Sequence, residues 1–127
     1  MRIVDIASDD CSDQETVVLA SYVRSGNTLS RGYIERITGI LTGADGNMNS
    51  DLVRILSAMG FKAEGVTDKR VWIVKTHYPD SPGAVQYYAE KCILIVRNPL
   101  DSIPSLFNMI CTNSHDKSIH SEDYIKF

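Results

Sequence analysis

Three short apolar runs, each too brief for a helix, constrain this chain more than any other feature. They are Val17–Ala20, within Thr16-Val-Val-Leu-Ala-Ser-Tyr22, then Val71-Trp-Ile-Val74, then Ile93–Val96, which Cys92 opens. A continuous apolar run of this length, rich in β-branched residues, predicts a strand buried on both faces, as in a parallel sheet. Each run leads into a loop with a cation: Val23-Arg24-Ser25-Gly26-Asn27-Thr28, Lys75-Thr76-His77-Tyr78-Pro79 and Arg97-Asn98-Pro99-Leu100-Asp101. If the strands are parallel neighbours, Arg24, Lys75, His77 and Arg97 emerge together at the carboxyl edge, where open α/β sheets bind ligands. Four positively chargeable groups beside a Gly-containing turn predict a polyanion, most simply a nucleotide with several phosphates.

Helical spacing fills the gaps between the runs. Leu29, Tyr33, Ile37 and Ile40 recur at that spacing, with Thr28 as N-cap and Gly39 as the stop. Leu41–Asn49 is rich in Gly, Asp and Asn and reads as a loop. A second helix starts from Ser50 or Asn49, presents Leu52, Ile55, Leu56 and Met59, and ends at Gly60. A short helix over Gly83–Lys91 fits the next gap. Asp101 can cap a further helix to about Thr112, with Pro104 as its third residue, where a missing N–H breaks no internal bond. A last helix can start at Ser121. The order β-α-α-β-(α)-β-α predicts an α/β fold of P-loop-like, three-layer type, with a parallel sheet truncated after three strands. Residues 1–15 read as a polar leader and 16–127 as one domain.

Composition narrows the ligand. A chain of 127 residues, 43% hydrophobic, builds one small domain with a real core. A net charge of −3 argues against a nucleic-acid groove, which needs a broad basic face. A small anion site survives, since only the local potential matters there. The three cysteines, Cys11, Cys92 and Cys111, are odd in number and lack CxxC spacing. They suggest neither a disulfide framework nor a zinc site, and Cys92 reads as a core thiol. Met1–Gln14 carries Asp5, Asp9, Asp10 and Asp13 and no long apolar stretch. It suits neither a signal peptide nor a membrane span, so the cytosol is the default compartment.

The first loop has the parts of a phosphate cradle. Gly26 lets backbone approach, a helix N-terminus follows, and Ser25, Asn27 and Thr28 add donors. An ordinary strand-to-helix turn would use the same glycine. GxxxxGK[ST] is absent, which disfavours a P-loop phosphotransferase. His77 can take a proton from a hydroxyl, or be a plain surface histidine in a Pro-bounded loop. Arg97 and Ser105 suit a phosphate monoester, and Arg97 can equally pair with Asp101. His115 and His120 lie in the polar tail without an assigned role.

Taken in order, these loops resemble the sulfotransferases that use 3′-phosphoadenylyl sulfate (PAPS). Ser21-Tyr-Val-Arg-Ser-Gly-Asn-Thr28 is similar to that family's 5′-phosphosulfate loop, [ST]-[YF]-P-[KR]-S-G-[TN]-T-W. Lys75-Thr-His77 is similar to its catalytic K-T-H segment, and Arg97-Asn-Pro-Leu-Asp with Ser105 to its 3′-phosphate motif R-N-P-x-D-x-x-x-S. The Gly-Asn form of the first loop, Thr38-Gly-Ile-Leu-Thr-Gly43 and Phe107-Asn108 resemble most closely the branch containing WSC-domain sulfotransferases. The resemblance covers about residues 16–110. It implies transfer of a sulfuryl group from PAPS to a hydroxyl or amine of a small molecule, glycan or protein. Arg24 would touch the leaving phosphate, with Ser25, Gly26, Asn27 and Thr28 around the 5′-phosphate. Lys75 would stand at the sulfuryl group and His77 would be the general base. Arg97 and Ser105 would hold the 3′-phosphate, and no metal is required. Leu29 stands where the family has a tryptophan against adenine, and Val23 where it has proline. The family's later G-x-x-G-D-W-K-type loop has no counterpart here, so an inactive or truncated nucleotide-binding relative is the alternative. The acceptor and the oligomeric state are left open.

Overall fold

The computed structural model describes residues 15–79, 82–114 and 117–124. Nearly all of the expected leader, and His115, lie outside these residues. Among the described residues four strands form one parallel sheet: β1 (Val17–Ser21), β2 (Gly43–Ala44), β3 (Ile73–His77) and β4 (Lys91–Ile95), in the order β2-β3-β1-β4. Four helices accompany them: α1 (Asn27–Thr38), α2 (Asp51–Ala58), α3 (Pro99–Thr112) and α4 (Ser121–Tyr124). The expected α/β class with a parallel sheet is correct, with one more strand than the three apolar runs indicate. The extra strand, β2, is two residues long and carries no periodicity of its own. It fits because Gly43 has no side chain: a Cβ there would run into the carbonyl oxygen of Val66.

Strand β3 begins and ends later than the apolar run Val71–Val74. Lys75, Thr76 and His77 therefore belong to the strand rather than to the loop after it. The register decides their surroundings, pairing Leu19 with Lys75 and Ser21 with His77. Side chains alternate along a strand, so Val17, Leu19, Ser21, Ile73, Lys75 and His77 share one face. Val17, Leu19 and Ile73 form a buried cluster there with Ile34 of α1. On the other face Val74 packs with Ala63 and Val71.

Helix α1 turns out reversed relative to its hydrophobicity. Leu29, Tyr33 and Ile37 are 62%, 56% and 82% exposed. Asn27, Arg31 and Glu35 are buried instead. Gly26, not Thr28, is its N-cap, and Gly39 ends it in the left-handed region as expected. Helix α2 follows its expected cap, Ser50 Oγ accepting from the Val53 N–H, and buries Val53 and Leu56.

The β4 side departs furthest from expectation. Strand β4 is an edge strand with Ile93 and Leu94 exposed, and Cys92 is an exposed thiol rather than a core one. Described residues between Gly83 and Lys91 form no helix. Asn98, not Asp101, caps α3, its Oδ1 accepting from the Leu100 N–H. The earlier start makes Pro104 the sixth residue of α3 rather than the third. No described helix is long and apolar enough to cross a membrane.

Candidate anion site at the carboxyl edge of the sheet

The carboxyl ends of β1, β3 and β4 open on a cavity of about 420 Å³, within the range of small-molecule sites. Arg24, Lys75, His77, Arg97 and Ser105 all line it, with Gly26, Asn27, Thr28 and Leu29. No carboxylate of the described residues lines it. Ser25 is buried and lies outside the lining.

The first loop holds Arg24 in a costly backbone conformation. Its φ is 65°, in the left-handed region that few non-glycine residues adopt. Links to the neighbouring elements secure it. Arg24 Nε donates to Ser105 Oγ at 2.9 Å, Arg24 Nη1 lies 3.8 Å from Met109 Sδ, and Arg97 Nη1 donates to the Arg24 carbonyl at 3.0 Å. The structure thus joins Ser105 to Arg24 directly, and Arg97 meets Arg24's backbone. Arg97 forms no ion pair with Asp101.

Asn27 differs from its reading as a phosphate donor. Its Nδ2 donates to Leu19 O, Ser21 Oγ and Thr76 O at 3.0, 2.9 and 3.2 Å. The amide is spent on tying β1 to β3, so only its backbone N–H remains for an anion. Its Oδ1 is buried with no hydrogen-bond partner among the described residues.

Lys75 and His77 sit on the buried wall. Burial is the main cause that pushes the Lys75 ammonium below its ordinary pKa, and nearby Arg31 adds to it against Glu64 and Asp45. Burial, then the Lys75 charge, lower His77 to about 4, against a hydrogen bond to the Ser21 carbonyl. At neutral pH His77 is therefore an uncharged imidazole, one of the four chargeable groups expected at this edge. Its Nδ1 lies 3.1 Å from Ser21 Oγ and 3.3 Å from Ser21 O.

Behind Lys75 lies a charged cluster that sequence reasoning missed. Arg31 is fully buried, pairs with Glu64 at 2.5 Å, and donates to Thr42 Oγ1 and Thr42 O, both at 2.8 Å. Its guanidinium also stacks 4.6 Å from the Phe61 ring. Glu35 accepts from Thr42 N and Oγ1 at 2.9 and 2.7 Å. On the other face of β3, Thr76 Oγ1 donates to Asp45 Oδ2 at 2.5 Å. The available signal was the i, i+4, i+8 row Asn27, Arg31, Glu35, a polar stripe facing away from the apolar one.

Fold and lining together define a small α/β unit with a cationic cavity at its strand ends. Comparison with known proteins adds kinship. The chain is 40% identical over 95 residues to a WSCD family member of Aedes aegypti, covering 75% of this chain and 28% of the relative. It is 40% identical over 90 residues to a Drosophila melanogaster member, covering 71% and 26%. A Drosophila pseudoobscura pseudoobscura member is 35% identical over 104 residues, covering 82% and 31%. The chain thus spans between a quarter and a third of the length of these curated relatives, and the likeness supports a WSCD family relationship over that stretch. No protein-family profile matches the chain. No solved structure matches it either.

Proposed function

We propose that this chain carries the donor-binding part of a PAPS-dependent sulfotransferase, which moves a sulfuryl group to a hydroxyl or amine acceptor by in-line transfer. One observation carries the reading: Arg24, Lys75, Arg97 and Ser105, from separate elements, line one cavity, and no carboxylate of the described residues lines it. A donor set of that kind suits a ligand with several phosphates, and the volume suits a nucleotide.

Bound PAPS would supply the activated sulfuryl group. The backbone at the start of α1 and the Thr28 hydroxyl would hold its 5′-phosphate. Arg24 would neutralise charge on the leaving phosphate, and Arg97 with Ser105 would hold the 3′-phosphate. Lys75 would face the sulfuryl oxygens, and His77, neutral at pH 7, would take the acceptor's proton. Catalysis would rest on alignment and on cations placed where charge builds up.

Leu29 favours a second reading, binding without turnover. It lines the cavity but is mostly exposed, and among the described residues no phenylalanine, tyrosine or tryptophan lines the cavity beside it. Calorimetry with 3′-phosphoadenosine 5′-phosphate (PAP), the desulfated product, tests both readings against the rest. One saturable site is the expected result, and absence of binding overturns both. Sulfate transfer from PAPS to a panel of hydroxyl acceptors then separates them. His77→Ala should abolish transfer while leaving PAP affinity within about twofold. Equal loss of both would make His77 a structural residue.

A further inference from the structure

Asn27, Ser21 and His77 form a chain of hydrogen bonds whose direction can be worked out. The Asn27 amide lies against two backbone carbonyls, Leu19 O and Thr76 O, which only accept. Its nitrogen must therefore face them, and that nitrogen also meets Ser21 Oγ. That nitrogen accepts nothing and shares its two hydrogens among three oxygens, so the Ser21 hydroxyl cannot give its proton to Asn27 and keeps it for another acceptor. Ser21 is 1% exposed, and among the described residues the only acceptor recorded for that hydroxyl is His77 Nδ1. The competing arrangement, Nδ1–H donating to the Ser21 carbonyl, is longer at 3.3 Å. That carbonyl already accepts from the Tyr78 N–H at 2.9 Å. It would also leave the buried Ser21 proton without an acceptor, a desolvation cost that the first arrangement avoids.

We propose that Ser21, oriented by Asn27, is a positioning residue that holds resting His77 as its Nε2–H tautomer. The ring then offers the cavity a hydrogen-bond donor, not a base, and adds to the Arg24, Lys75 and Arg97 donors. His77 can take a proton at Nε2 only after it changes tautomer. One proton leaves Nε2 for solvent, one arrives at Nδ1 from solvent, and Nδ1–H turns to the Ser21 carbonyl. The use of the donor form toward an anion rests on the proposed function. The tautomer itself does not.

Two-bond ¹H–¹⁵N correlation of the imidazole nitrogens tests it on the whole chain at neutral pH. Signals absent from a His77→Gln sample assign His77 against His115 and His120. The wild-type pattern should be that of Nε2–H alone. An Nδ1–H pattern, or a mixture, overturns the proposal without any variant being needed. Ser21→Ala removes the hydroxyl and keeps the carbonyl, so it should move His77 to Nδ1–H, and Ser21→Thr should restore Nε2–H. An unchanged pattern in Ser21→Ala removes Ser21 from the role. PAP calorimetry separates the two proposals: tight PAP binding with an Nδ1–H ring sinks only this one, and no binding with an Nε2–H ring sinks only the proposed function.

Discussion

The cavity has two unlike walls. On the β1–β3 side the functional groups are buried, or half-buried in the case of His77, and each is oriented by neighbours: Asn27 across two strands, Ser21 against His77, and Lys75 near the Arg31–Glu64 pair. On the β4–α3 side Arg97 is exposed, and so are the apolar residues Ile93 and Leu94 of β4 and Leu100, Ile103 and Ile110 of α3. The first wall changes what its groups are, making a histidine neutral and lowering a lysine. The second holds Arg97 out in solvent. Mutations on the two walls should therefore fail differently, one through folding and the other through binding.

The sharpest contrast comes from Arg31→Ala, which strands Glu64 in the interior. Breaking one partner of a buried pair costs roughly 3–5 kcal/mol. Urea unfolding should show that loss, and a change below about 1 kcal/mol would mean the pair is far better hydrated than its burial implies. Arg31→Met with Glu64→Leu should recover most of it, since a volume-matched apolar pair avoids the desolvation penalty.

Arg97→Ala should do the opposite. An exposed arginine with one hydrogen bond to a backbone carbonyl contributes within about 0.5 kcal/mol to stability. PAP affinity should fall by about 1.5–3 kcal/mol, the range for a hydrogen bond to a charged group. Unchanged affinity would remove the 3′-phosphate assignment, and a large loss of stability would erase the difference between the walls.

Acid offers a third test. The His77 pKa is depressed from 6.5 to about 4 by burial and the Lys75 charge. Between those values the unfolded chain binds the proton and the folded chain does not, so this stabilisation is complete above pH 6.5 and lost as pH falls toward 4. His77 retains some solvent contact, so the expected loss is on the order of 1–2 kcal/mol. In His77→Gln the slope of unfolding free energy over that window should flatten, and an unchanged slope would remove His77 as its source.

The same division explains what the sequence made legible. The strands β1 and β3, the Ser50 and Gly39 caps, and the gathering of Arg24, Lys75, His77 and Arg97 around one cavity follow from local patterns that the sheet respects. The facing of α1 does not. Its apolar row Leu29, Tyr33, Ile37 lies outward because Arg31 and Glu35 find partners in Thr42 and Glu64, which periodicity cannot register. Strand β4 reads as buried because apolar runs usually are, yet an edge position leaves one side without a neighbouring strand. The neutral state of His77 depends on Lys75 and Ser21 across a register that only the paired strands define.

The smallest effect expected lies where the walls meet. Arg24 belongs to the loop after β1 but is fastened to α3, through Ser105 Oγ at 2.9 Å, while Arg97 reaches its carbonyl. Ser105→Ala removes one neutral hydroxyl partner from a guanidinium that also touches Met109. Stability should change by less than about 0.5 kcal/mol, and PAP affinity should drop by about 0.5–1.5 kcal/mol, the net worth of an ordinary hydrogen bond. Combining it with Arg24→Ala decides how the wall works. Additive losses mean that Ser105 and Arg24 contact the ligand independently. A double variant no weaker than Arg24→Ala alone means that Ser105 acts by aiming Arg24, which the direct Arg24–Ser105 bond favours.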